Sequence, residues 1–457
     1  MILTLDLGTS ATKAALWEPD GLVGLADVGL VTASPAPGVM EQDPAAWWAS
    51  VVAACAELGR SRPDGLAGVE AVGLTGARQT FGLFDAGGDP TGPGILWSDA
   101  RAPSVAGRLA WVADHRADQL ARSSWILAPR DLVAWRLTGS AATDPSLASL
   151  TGCYDSDGTV SAAVDGSVAE RLPPVVPSDR VAPAVGEAAV LGLRPGVPVV
   201  LGAGDRQCEV LGTGAGVTVP MVSWGTTANT SLPVDARPDP SPAGLTVARS
   251  ASGGWQLEGG LSAAGSFLAW LGRLCGRSSA DLVALAATSP PGARGVTALP
   301  WLGGARAPWW RPGAGAAFTG LADAHDATDL ARAAVESVAL DVQRCLEAVG
   351  RGLPPGPGFD GLGLAGGGAP VAVWQEVLAG TTGLPVHHRR SGQAASAGAA
   401  LLAAGATVGP WDLDLLDPVA GGTHPDPALV DRYAALRPAA DRLAADLVDP
   451  GSPPACD

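Results

Sequence analysis

The chain opens with MILTLDLGTSATKAALW, residues 1–17, and the fold can be worked out from this stretch. Residues 1–7 form an apolar run that carries one acid, Asp6. Residues 8–10, Gly-Thr-Ser, follow as a turn, and an apolar, strand-like pattern resumes over residues 11–17. Two strand patterns joined by a short turn rich in glycine and hydroxyl groups predict a β-hairpin. The backbone N–H groups of such a turn can cradle a phosphate group.

Two charged residues of this hairpin are candidates for a phosphate-binding site. Asp6, near the end of its strand, is placed to hold a hydrated Mg²⁺ beside the phosphate, because Mg²⁺ prefers oxygen ligands and keeps several waters. Lys13 is the only lysine among the 29 basic residues, and its position after the turn favours a phosphate contact. Short motifs need context, and the alternatives are an ordinary turn and a solvated surface lysine.

The composition limits the class of protein. A chain of 457 residues corresponds to roughly two to three domains. With 47% hydrophobic and 16% charged residues, it can bury large cores. The formal charge of −16 argues against nucleic acid as the main partner, since a basic footprint is missing. It also means that a polyanionic ligand needs a locally positive or Mg²⁺-screened site.

Redox and targeting features indicate a cytoplasmic protein. The six cysteines are scattered and form no C-x-x-C pair, so we expect neither a zinc-type site nor a disulfide framework. Met1 leads directly into a strand with an acid at position 6, which predicts no signal peptide. No apolar run reaches the roughly 18–20 residues of a membrane span. We therefore expect a reduced, cytoplasmic protein with no membrane partner.

Strand patterns alternate with helix patterns along the chain, which predicts an α/β fold. A helix is predicted over residues 44–58, with Gly59 as its stop. A further helix is predicted over residues 125–137. Asp326 is predicted to cap a long helix over residues 327–350.

Polar residues lie at predicted strand ends between residues 74 and 101. They include Arg78, Gln79 and Trp97. Ligands of open α/β sheets bind outside the strand ends, and arginine and glutamine donors beside a tryptophan face suit a polyhydroxylated molecule. The alternative is that Trp97 lies in the core and that residues 99–101 form a local ion pair.

An acid also follows the buried strand predicted over residues 197–201. The strand runs into Gly202-Ala203-Gly204-Asp205, after which a helix is predicted. Glycines permit close approach of a ligand to the backbone, so Asp205 is a candidate catalytic residue. Aspartate is also favourable at a helix N-terminus, and the two roles do not exclude each other.

The opening hairpin is repeated in the second half of the chain. VSWGTTANT, residues 222–230, aligns with LDLGTSATK, residues 5–13, and the turn glycines lie 217 residues apart (225 minus 8). Such a repeat predicts two similar domains, each offering its turn to the same phosphate chain. A serine replaces Asp6 in the second copy, so only the first copy carries the acid.

A third glycine-rich turn follows the strand predicted over residues 359–364. Gly366, Gly367 and Gly368 remove side chains where a flat or charged group must lie close to the backbone. Adenosine is one candidate for that group. Taken alone, a glycine triplet does not identify a ligand.

Taken in order, these elements resemble the FGGY carbohydrate kinases, which belong to the actin-like ATPase superfamily. The elements are the DLGTS hairpin, the G-x-G-D junction, the second GTT hairpin and the L-x-GGGA turn. ILWSDARAP, VPVVLGAGD and LAGGGAPVAVWQEVLAGTTGLPV are similar to segments of xylulokinase-like members. The resemblance implies an α/β fold with two ribonuclease-H-like (actin-like ATPase) domains and an interdomain cleft. It implies a sugar-binding domain over residues 1–218 and a nucleotide-binding domain over residues 219–457.

The resemblance also implies an ATP-dependent sugar kinase that uses Mg²⁺ and phosphorylates a hydroxyl of a small keto-sugar or polyol. Asp205 matches the catalytic base, and Asp6 and Asp205 are the acids assigned to the metal. The positions assigned to ATP are Thr9, Ser10, Lys13, Gly225, Thr226, Thr227, Gly367, Gly368 and Ala369. Those assigned to the sugar are Arg78, Gln79, Trp97 and Asp205. Phosphoryl transfer needs little more than positioning, a metal ion and one base.

The sequence departs from the xylulokinase pattern at several places. Residues 76–80, GARQT, replace the usual Met-His and partly resemble the Arg-Glu of glycerol kinases, with Gln79 in place of the acid. The stretch between residues 101 and 127 is short, residues 206–209 change the charge beside the base, and Ala305 replaces a glutamate. Two alternatives follow: a nucleotide-binding regulator that has lost catalysis, and an actin-like or heat-shock-type ATPase. We also keep a homodimer as a hypothesis.

Overall fold

The computed structural model describes residues 1–62, 65–353 and 358–448. Contacts within the chain divide it into two compact units. Unit 1 consists of Met1–Gly212, Ala248–Gly254 and Gln393–Pro418, and unit 2 of Thr213–Val247, Trp255–Gly392 and Val419–Asp457. The domain boundary between residues 218 and 219 stays a prediction.

Strands alternate with helices, as the sequence patterns predict for an α/β fold. In chain order the strands are β1 (Ile2–Leu7), β2 (Ala11–Glu18), β3 (Gly21–Gly29), β4 (Glu41–Gln42), β5 (Ala71–Gly76), β6 (Gly82–Phe84), β7 (Gly94–Ile95), β8 (Trp125–Leu127), β9 (Val181–Pro183), β10 (Pro198–Gly204), β11 (Met221–Trp224), β12 (Ala228–Val234), β13 (Thr246–Arg249), β14 (Trp255–Gly260), β15 (Thr297–Leu299), β16 (Ala317–Thr319), β17 (Leu362–Ala365), β18 (Val386–Arg389) and β19 (Val419–Thr423). The helices are α1 (Ala45–Ser61), α2 (Val105–His115), α3 (Ala117–Arg122), α4 (Pro129–Thr138), α5 (Pro145–Ala148), α6 (Gly166–Ala169), α7 (Asp205–Thr213), α8 (Gly265–Cys275), α9 (Ser279–Ala286), α10 (Ala327–Arg351), α11 (Ala372–Thr382), α12 (Ala394–Thr407), α13 (Leu413–Leu416) and α14 (Pro427–Val448). The antiparallel pairs β1–β2 and β11–β12 confirm the predicted repeat of the opening hairpin.

The sheet of unit 1 brings the ends of three strands to one edge. Its strand order is β3-β2-β1-β5-β10-β9, and β1, β5 and β10 run parallel. Leu7 pairs with Gly76, and Gly76 pairs with Gly204, so these three strands end side by side. Ligand-binding side chains of open α/β sheets collect at this carboxyl edge.

Helices cover both faces of this sheet. On one face, α1 and α4 pack on the leucines of β1 through aliphatic side chains such as Leu58 and Val133. On the other face, α12 lies against β1, β5 and β10, and its buried alanines pack with Trp17. A Cβ added to Gly73 would lie 2.6 Å from the Ala399 carbonyl oxygen. Only glycine therefore permits the close approach of α12 to β5.

The second large sheet, most of whose strands belong to unit 2, follows the same plan. Its strand order is β13-β14-β12-β11-β17-β18-β19, with β11, β17 and β18 parallel. In each unit, three antiparallel strands (β3-β2-β1 and β14-β12-β11) continue into two parallel strands and an antiparallel edge strand. The long helix α10 is buried over most of its length, and Asp326 caps its start as predicted. The shared strand order is the structural counterpart of the repeated hairpin.

Two element predictions are wrong at specific residues. Helix α1 does not stop at Gly59; an added Cβ there would lie 3.2 Å from the Leu66 side chain, so this glycine serves close packing inside the helix. The single helix predicted over residues 125–137 is a strand, β8, followed by α4. Pro129 begins α4, because proline suits the first helical turn and holds the preceding Ala128 extended.

The remaining global features concern thiols and membrane spans. In the described ranges, no helix is both long and apolar enough to cross a bilayer. Cys55, Cys153, Cys208 and Cys345 are buried free thiols. Burial raises the pKa of Cys55 and Cys208 to about 12, which makes these thiols unreactive. Cys456 lies outside the described residues.

Candidate active site

The first hairpin turn lies at the carboxyl edge of the unit 1 sheet. Residues 8–10 connect β1 to β2, and Ser10 is exposed. The Thr9 carbonyl accepts a hydrogen bond from Gln42 Nε2 at 2.7 Å. Thr9 Oγ1 accepts a hydrogen bond from Trp97 Nε1 at 3.0 Å. These two contacts fix the main chain and the side chain of the turn while Ser10 faces solvent.

Asp6 presents a buried carboxylate oxygen at the same edge. It pairs with Lys13 across the hairpin and with Thr75 on β5. Its Oδ1 atom is buried and, among the residues that the structure describes, has no hydrogen-bond partner. Burial, with repulsion from Asp205 and more weakly from Glu209, raises the pKa of Asp6 to about 7, against the attraction of Lys13. A cation would satisfy this oxygen.

The donor set at this edge fits Mg²⁺ rather than a metal held entirely by protein. No group of three or more His, Cys, Asp or Glu side chains within the described ranges could hold a metal ion. Mg²⁺ usually keeps several waters and binds through one or two carboxylates together with substrate phosphates. Asp6 and Asp205, the two acids predicted for the metal, supply this smaller set.

Asp205 lies at the junction between β10 and α7, as the sequence predicts. β10 ends at Gly204, and α7 begins at Asp205. Asp205 Oδ1 accepts a hydrogen bond from the Arg206 N–H at 2.7 Å and lies 3.5 Å from Arg78 Nε. The side chain is 38% exposed. Asp205 therefore combines a fixed backbone at the sheet edge with a carboxylate that can reach a ligand.

Two further polar residues belong to this edge, and the sequence analysis did not assign them to the site. Glu209 lies one helical turn after Asp205 and forms an ion pair with Arg206. The spacing in α7 was the available signal, because residues four apart share a helix face. Gln393 Oε1 accepts a hydrogen bond from Lys13 Nζ at 2.9 Å. No sequence pattern marks this contact, since 380 residues separate its two partners.

The residues predicted to contact a sugar also belong to unit 1. Arg78 lies just after β5, beside the base candidate. Gln79 has a positive φ of 58°, and its Nε2 donates to the Leu150 carbonyl at 3.0 Å, so its amide is held in one orientation. Trp97 is 41% exposed. The alternative that Trp97 lies in the core is therefore wrong.

The predicted local ion pair over residues 99–101 is confirmed. Arg101 Nη2 lies 2.7 Å from Asp99 Oδ2, and Arg101 Nε donates to Asp99 Oδ1 at 2.9 Å. Asp99 Oδ2 also accepts a hydrogen bond from the Met40 N–H at 2.8 Å. The Arg101 hydrogen bonds lower the pKa of Asp99 despite its burial. This pair anchors the loop that carries Trp97.

The second hairpin turn joins β11 to β12 in unit 2 and is held against the start of α8. The Thr226 carbonyl accepts hydrogen bonds from the Ser266 N–H at 3.0 Å and from the Ser266 hydroxyl at 2.8 Å. Within the turn, the Gly225 N–H donates to the Thr227 carbonyl at 3.0 Å. The turn is therefore tightly folded, and its phosphate contacts stay a prediction.

The glycine turn after β17 packs on a tryptophan. A Cβ added to Gly366 would lie 2.6 Å from the Trp224 carbonyl oxygen, and one added to Gly368 would lie 2.8 Å from Trp224 Cδ1. A Cβ added to Gly367 would meet no other described atom within 4 Å. Packing thus explains two of the three glycines, and Gly367 is where a ligand has room. The adenosine contacts of Gly367, Gly368 and Ala369 stay a prediction.

Family models cover most of the chain. The N-terminal domain of the FGGY family of carbohydrate kinases matches residues 1–110 and 104–212. The C-terminal domain of the same family matches residues 220–407. The first match contains the hairpin β1–β2 and the second contains β11–β12, so each model covers one copy of the repeated hairpin.

Individual relatives agree with the family models. Xylulose kinase of Escherichia coli (strain K12) is 30% identical over 440 residues, which cover 88% of this chain and 89% of that protein. Glycerol kinase of Trichlorobacter lovleyi is 30% identical over 463 residues, which cover 90% of each chain. The crystal structure of a xyloylose kinase from Brucella ovis has a TM-score of 0.86 at 28% identity and covers 97% of this chain and 99% of its own. The chain therefore belongs to the FGGY family of carbohydrate kinases.

Proposed function

We propose that this protein transfers the γ-phosphoryl group of ATP to a hydroxyl of a small, xylulose-like keto-sugar or polyol, with Mg²⁺ and with Asp205 as general base. Similarity to proteins named xylulose kinase and glycerol kinase supports this class of acceptor. One observation carries the proposal. The partly exposed Asp205 carboxylate follows β10 at the sheet edge that carries Asp6, and its charge helps to raise the pKa of Asp6.

The proposed chemistry is a single phosphoryl transfer. Asp205 accepts the proton of the acceptor hydroxyl as the hydroxyl oxygen attacks the γ-phosphorus. A phosphorus–oxygen bond forms to the acceptor, the bond to the bridging oxygen breaks, and ADP leaves. Arg78, with its Nε 3.5 Å from the carboxylate, orients the base. A positioned general base of this kind contributes about 10²–10⁴-fold to the rate.

The remaining assignments concern the two substrates. Mg²⁺, when bound, would neutralise charge on the phosphate oxygens. Asp6 would hold that ion, and Lys13, with the turn at residues 8–10, would contact phosphate oxygens. The exposed face of Trp97 suits the C–H surface of a sugar. The Gln79 amide, fixed by its bond to a main-chain carbonyl, would present its other polar atom to a hydroxyl.

A panel of acceptors provides the direct test. ADP release from Mg·ATP would be followed with pentuloses, hexuloses, tetritols, pentitols and glycerol. We expect one or more acceptors to raise turnover well above the ATPase background. Silence across the panel, with ATP still bound in calorimetry, would contradict the proposal. That outcome would support a catalytically weakened, nucleotide-binding homologue with a regulatory role.

Substitution of the base tests the mechanism. Asp205→Asn should lower acceptor-dependent turnover by about 10²–10⁴-fold and leave ATP binding largely intact. Asp165→Asn is the matched control, because Asp165 also lies at a helix start of unit 1 and accepts a hydrogen bond from the Ser167 N–H at 2.8 Å. The control should keep wild-type turnover. Unchanged turnover in Asp205→Asn would remove Asp205 from its proposed role.

A further inference from the structure

A buried polar network lies behind the strand that ends at Asp205. Its central members are Arg130 on α4 and Asp144 and Ser146 at the start of α5. Each of the three has no solvent exposure, so none of them can touch a substrate in this structure. Burying a charged group costs free energy unless the group is paired. The pairs in this network therefore matter for what they hold in place.

The network forms hydrogen bonds with the backbone of β10 at two points immediately before the base. Arg130 Nη1 donates to the Gly202 carbonyl at 2.8 Å. Ser146 Oγ accepts a hydrogen bond from the Gly204 N–H at 2.8 Å. Two of the three residues preceding Asp205 are therefore held by side chains from other elements.

Asp144 connects Arg130 and Ser146 through its two carboxylate oxygens. Its Oδ1 accepts from Arg130 Nη1 at 2.8 Å, and its Oδ2 accepts from the Ser146 N–H at 3.0 Å. The Ser178 hydroxyl donates to the same Oδ2 at 2.7 Å. The second carboxylate beside Arg130 is Asp131, whose Oδ1 accepts from Arg130 Nε at 3.0 Å. These bonds join buried groups, and a hydrogen bond is electrostatically stronger in such surroundings than in water.

The backbone of β10 is irregular at the residues that these side chains bind. The register between β10 and β5 shifts between Val200 and Ala203, so the pairing skips Leu201 and Gly202 before it resumes at Ala203 and Gly204. Gly202 has a φ of +73°, and an added Cβ would lie 1.6 Å from the Leu74 carbonyl oxygen. The strand thus leaves its regular path just before Asp205. Arg130 bonds the Gly202 carbonyl inside this irregularity, and Ser146 bonds the Gly204 N–H where the pairing resumes.

We propose that Arg130, Asp144 and Ser146 are positioning residues for the base. They fix the peptide groups of Gly202 and Gly204 and so set the direction in which the Asp205 side chain leaves the strand. This inference rests on the proposed function, because it takes Asp205 as the base. A misplacement of about 1 Å in a reacting group can cost on the order of 10²-fold in rate, so a loosened strand end would be visible in turnover.

A matched pair of serines separates positioning from stability. Ser146 and Ser178 are both buried, and each contributes one hydroxyl to the same network. Only the Ser146 hydroxyl reaches the backbone beside Asp205, whereas the Ser178 hydroxyl ends on Asp144. Ser146→Ala and Ser178→Ala should therefore lower the Tm by similar amounts, while only the first should loosen the base.

The experiment measures steady-state kinetics of both full-length variants with Mg·ATP and the acceptor of highest turnover in the panel. Ser146→Ala should lower kcat about tenfold with less than twofold change in either KM, and Ser178→Ala should change kcat less than twofold. Hydrogen exchange of the amides in residues 201–206 should be faster in Ser146→Ala than in Ser178→Ala. Equal kcat and equal exchange in the two variants would overturn the proposal.

Combination with the base variant distinguishes the possible failures. Ser146→Ala added to Asp205→Asn should cause no further loss, because a displaced base matters only where a base acts. Wild-type turnover in Asp205→Asn, or silence across the acceptor panel, would refute the proposed function and this inference with it. A large loss in Asp205→Asn together with wild-type kcat in Ser146→Ala would refute the positioning role alone.

Discussion

Replacing Asp6 with asparagine should make the metal-free protein more stable, although Asp6 is assigned to the metal. Burial and the nearby Asp205 carboxylate raise the pKa of Asp6 from 3.8 to about 7. Between these values the folded protein binds more protons at Asp6 than the unfolded chain does, so stability falls as the pH rises. The loss begins near about pH 4 and is complete above about pH 7.

The magnitude follows from the size of the pKa change. A rise of about 3 units, at about 1.4 kcal/mol per unit, corresponds to about 4 kcal/mol. About 3 kcal/mol of this is lost between about pH 5 and pH 8. Asparagine is nearly isosteric and uncharged, so the variant should lose none of it. For a domain of the size of unit 1, a loss of about 3 kcal/mol lowers the Tm by roughly 6–12 °C.

The assay is thermal unfolding of the full chain in EDTA across this pH range. Asp27→Asn is the matched control, because Asp27 pairs with Lys13 from the opposite side of the hairpin and is exposed. As the pH rises from about 5 to about 8, the Tm of wild type and of Asp27→Asn should fall by the same amount. The Tm of Asp6→Asn should rise relative to both. Mg²⁺ with ADP should then stabilise wild type more than Asp6→Asn. An Asp6→Asn Tm at or below that of wild type at the alkaline end would refute the reasoning.

Three further predictions concern other parts of the chain. Gly202→Ala should cost more than about 4 kcal/mol in urea unfolding, because its Cβ would lie 1.6 Å from a carbonyl oxygen of β5. Gly196→Ala, also at positive φ but in open space, should cost only about 1–2 kcal/mol; equal costs would contradict this account. The Arg294 hydrogen bond lowers the pKa of Asp329 to about 2, so this residue contributes stability above about pH 4 that is lost as the pH falls through 2. Asp329→Asn should lose about 1–2 kcal/mol at neutral pH and less in acid, since solvent screens the exposed arginine; a loss independent of pH would count against the ion pair. In initial-rate kinetics, Trp97→Ala should raise the acceptor KM more than tenfold and Trp97→Phe should raise it less; no change in either variant would remove Trp97 from the acceptor site.

Local sequence patterns were sufficient to predict structure where the deciding interactions join residues that are close in the chain. The hairpin of residues 1–17 has two apolar strands and a turn, and the structure shows the same elements within one or two residues. Asp205 follows a buried strand and two glycines, and it does begin a helix. In both cases one short segment contains all the interactions that decide its structure.

Contacts between distant segments could not be read in this way. The partner of Lys13 is Gln393, and the partners of the Gly202 and Gly204 peptide groups are Arg130 and Ser146. The residues of each pair have no periodic relation along the chain. Such pairs form only when the sheet has brought strands of different origin together, and one sequence contains no signal for that step.

The sequence correctly predicts that another group lies close to the glycine turn at residues 366–368. It does not identify that group. Trp224 occupies the space that side chains at Gly366 and Gly368 would take. A missing side chain shows that something lies close to the backbone. Whether that neighbour is a nucleotide or a tryptophan depends on tertiary packing.

Helix α12 has a consequence for the synthesis of the protein. Thr4 on β1 lies 2.6 Å, oxygen to oxygen, from Ser396 on this helix, a separation of 392 residues along the chain. At about 5–20 residues per second, the ribosome needs about 20–80 s to reach the helix after the first strand is made. Throughout that interval one apolar face of the first sheet lacks its cover and is available to chaperones. Unit 1 is thus completed only after residues 255–392 of unit 2 have been synthesised, and a fragment that ends at Gly212 would expose this face permanently.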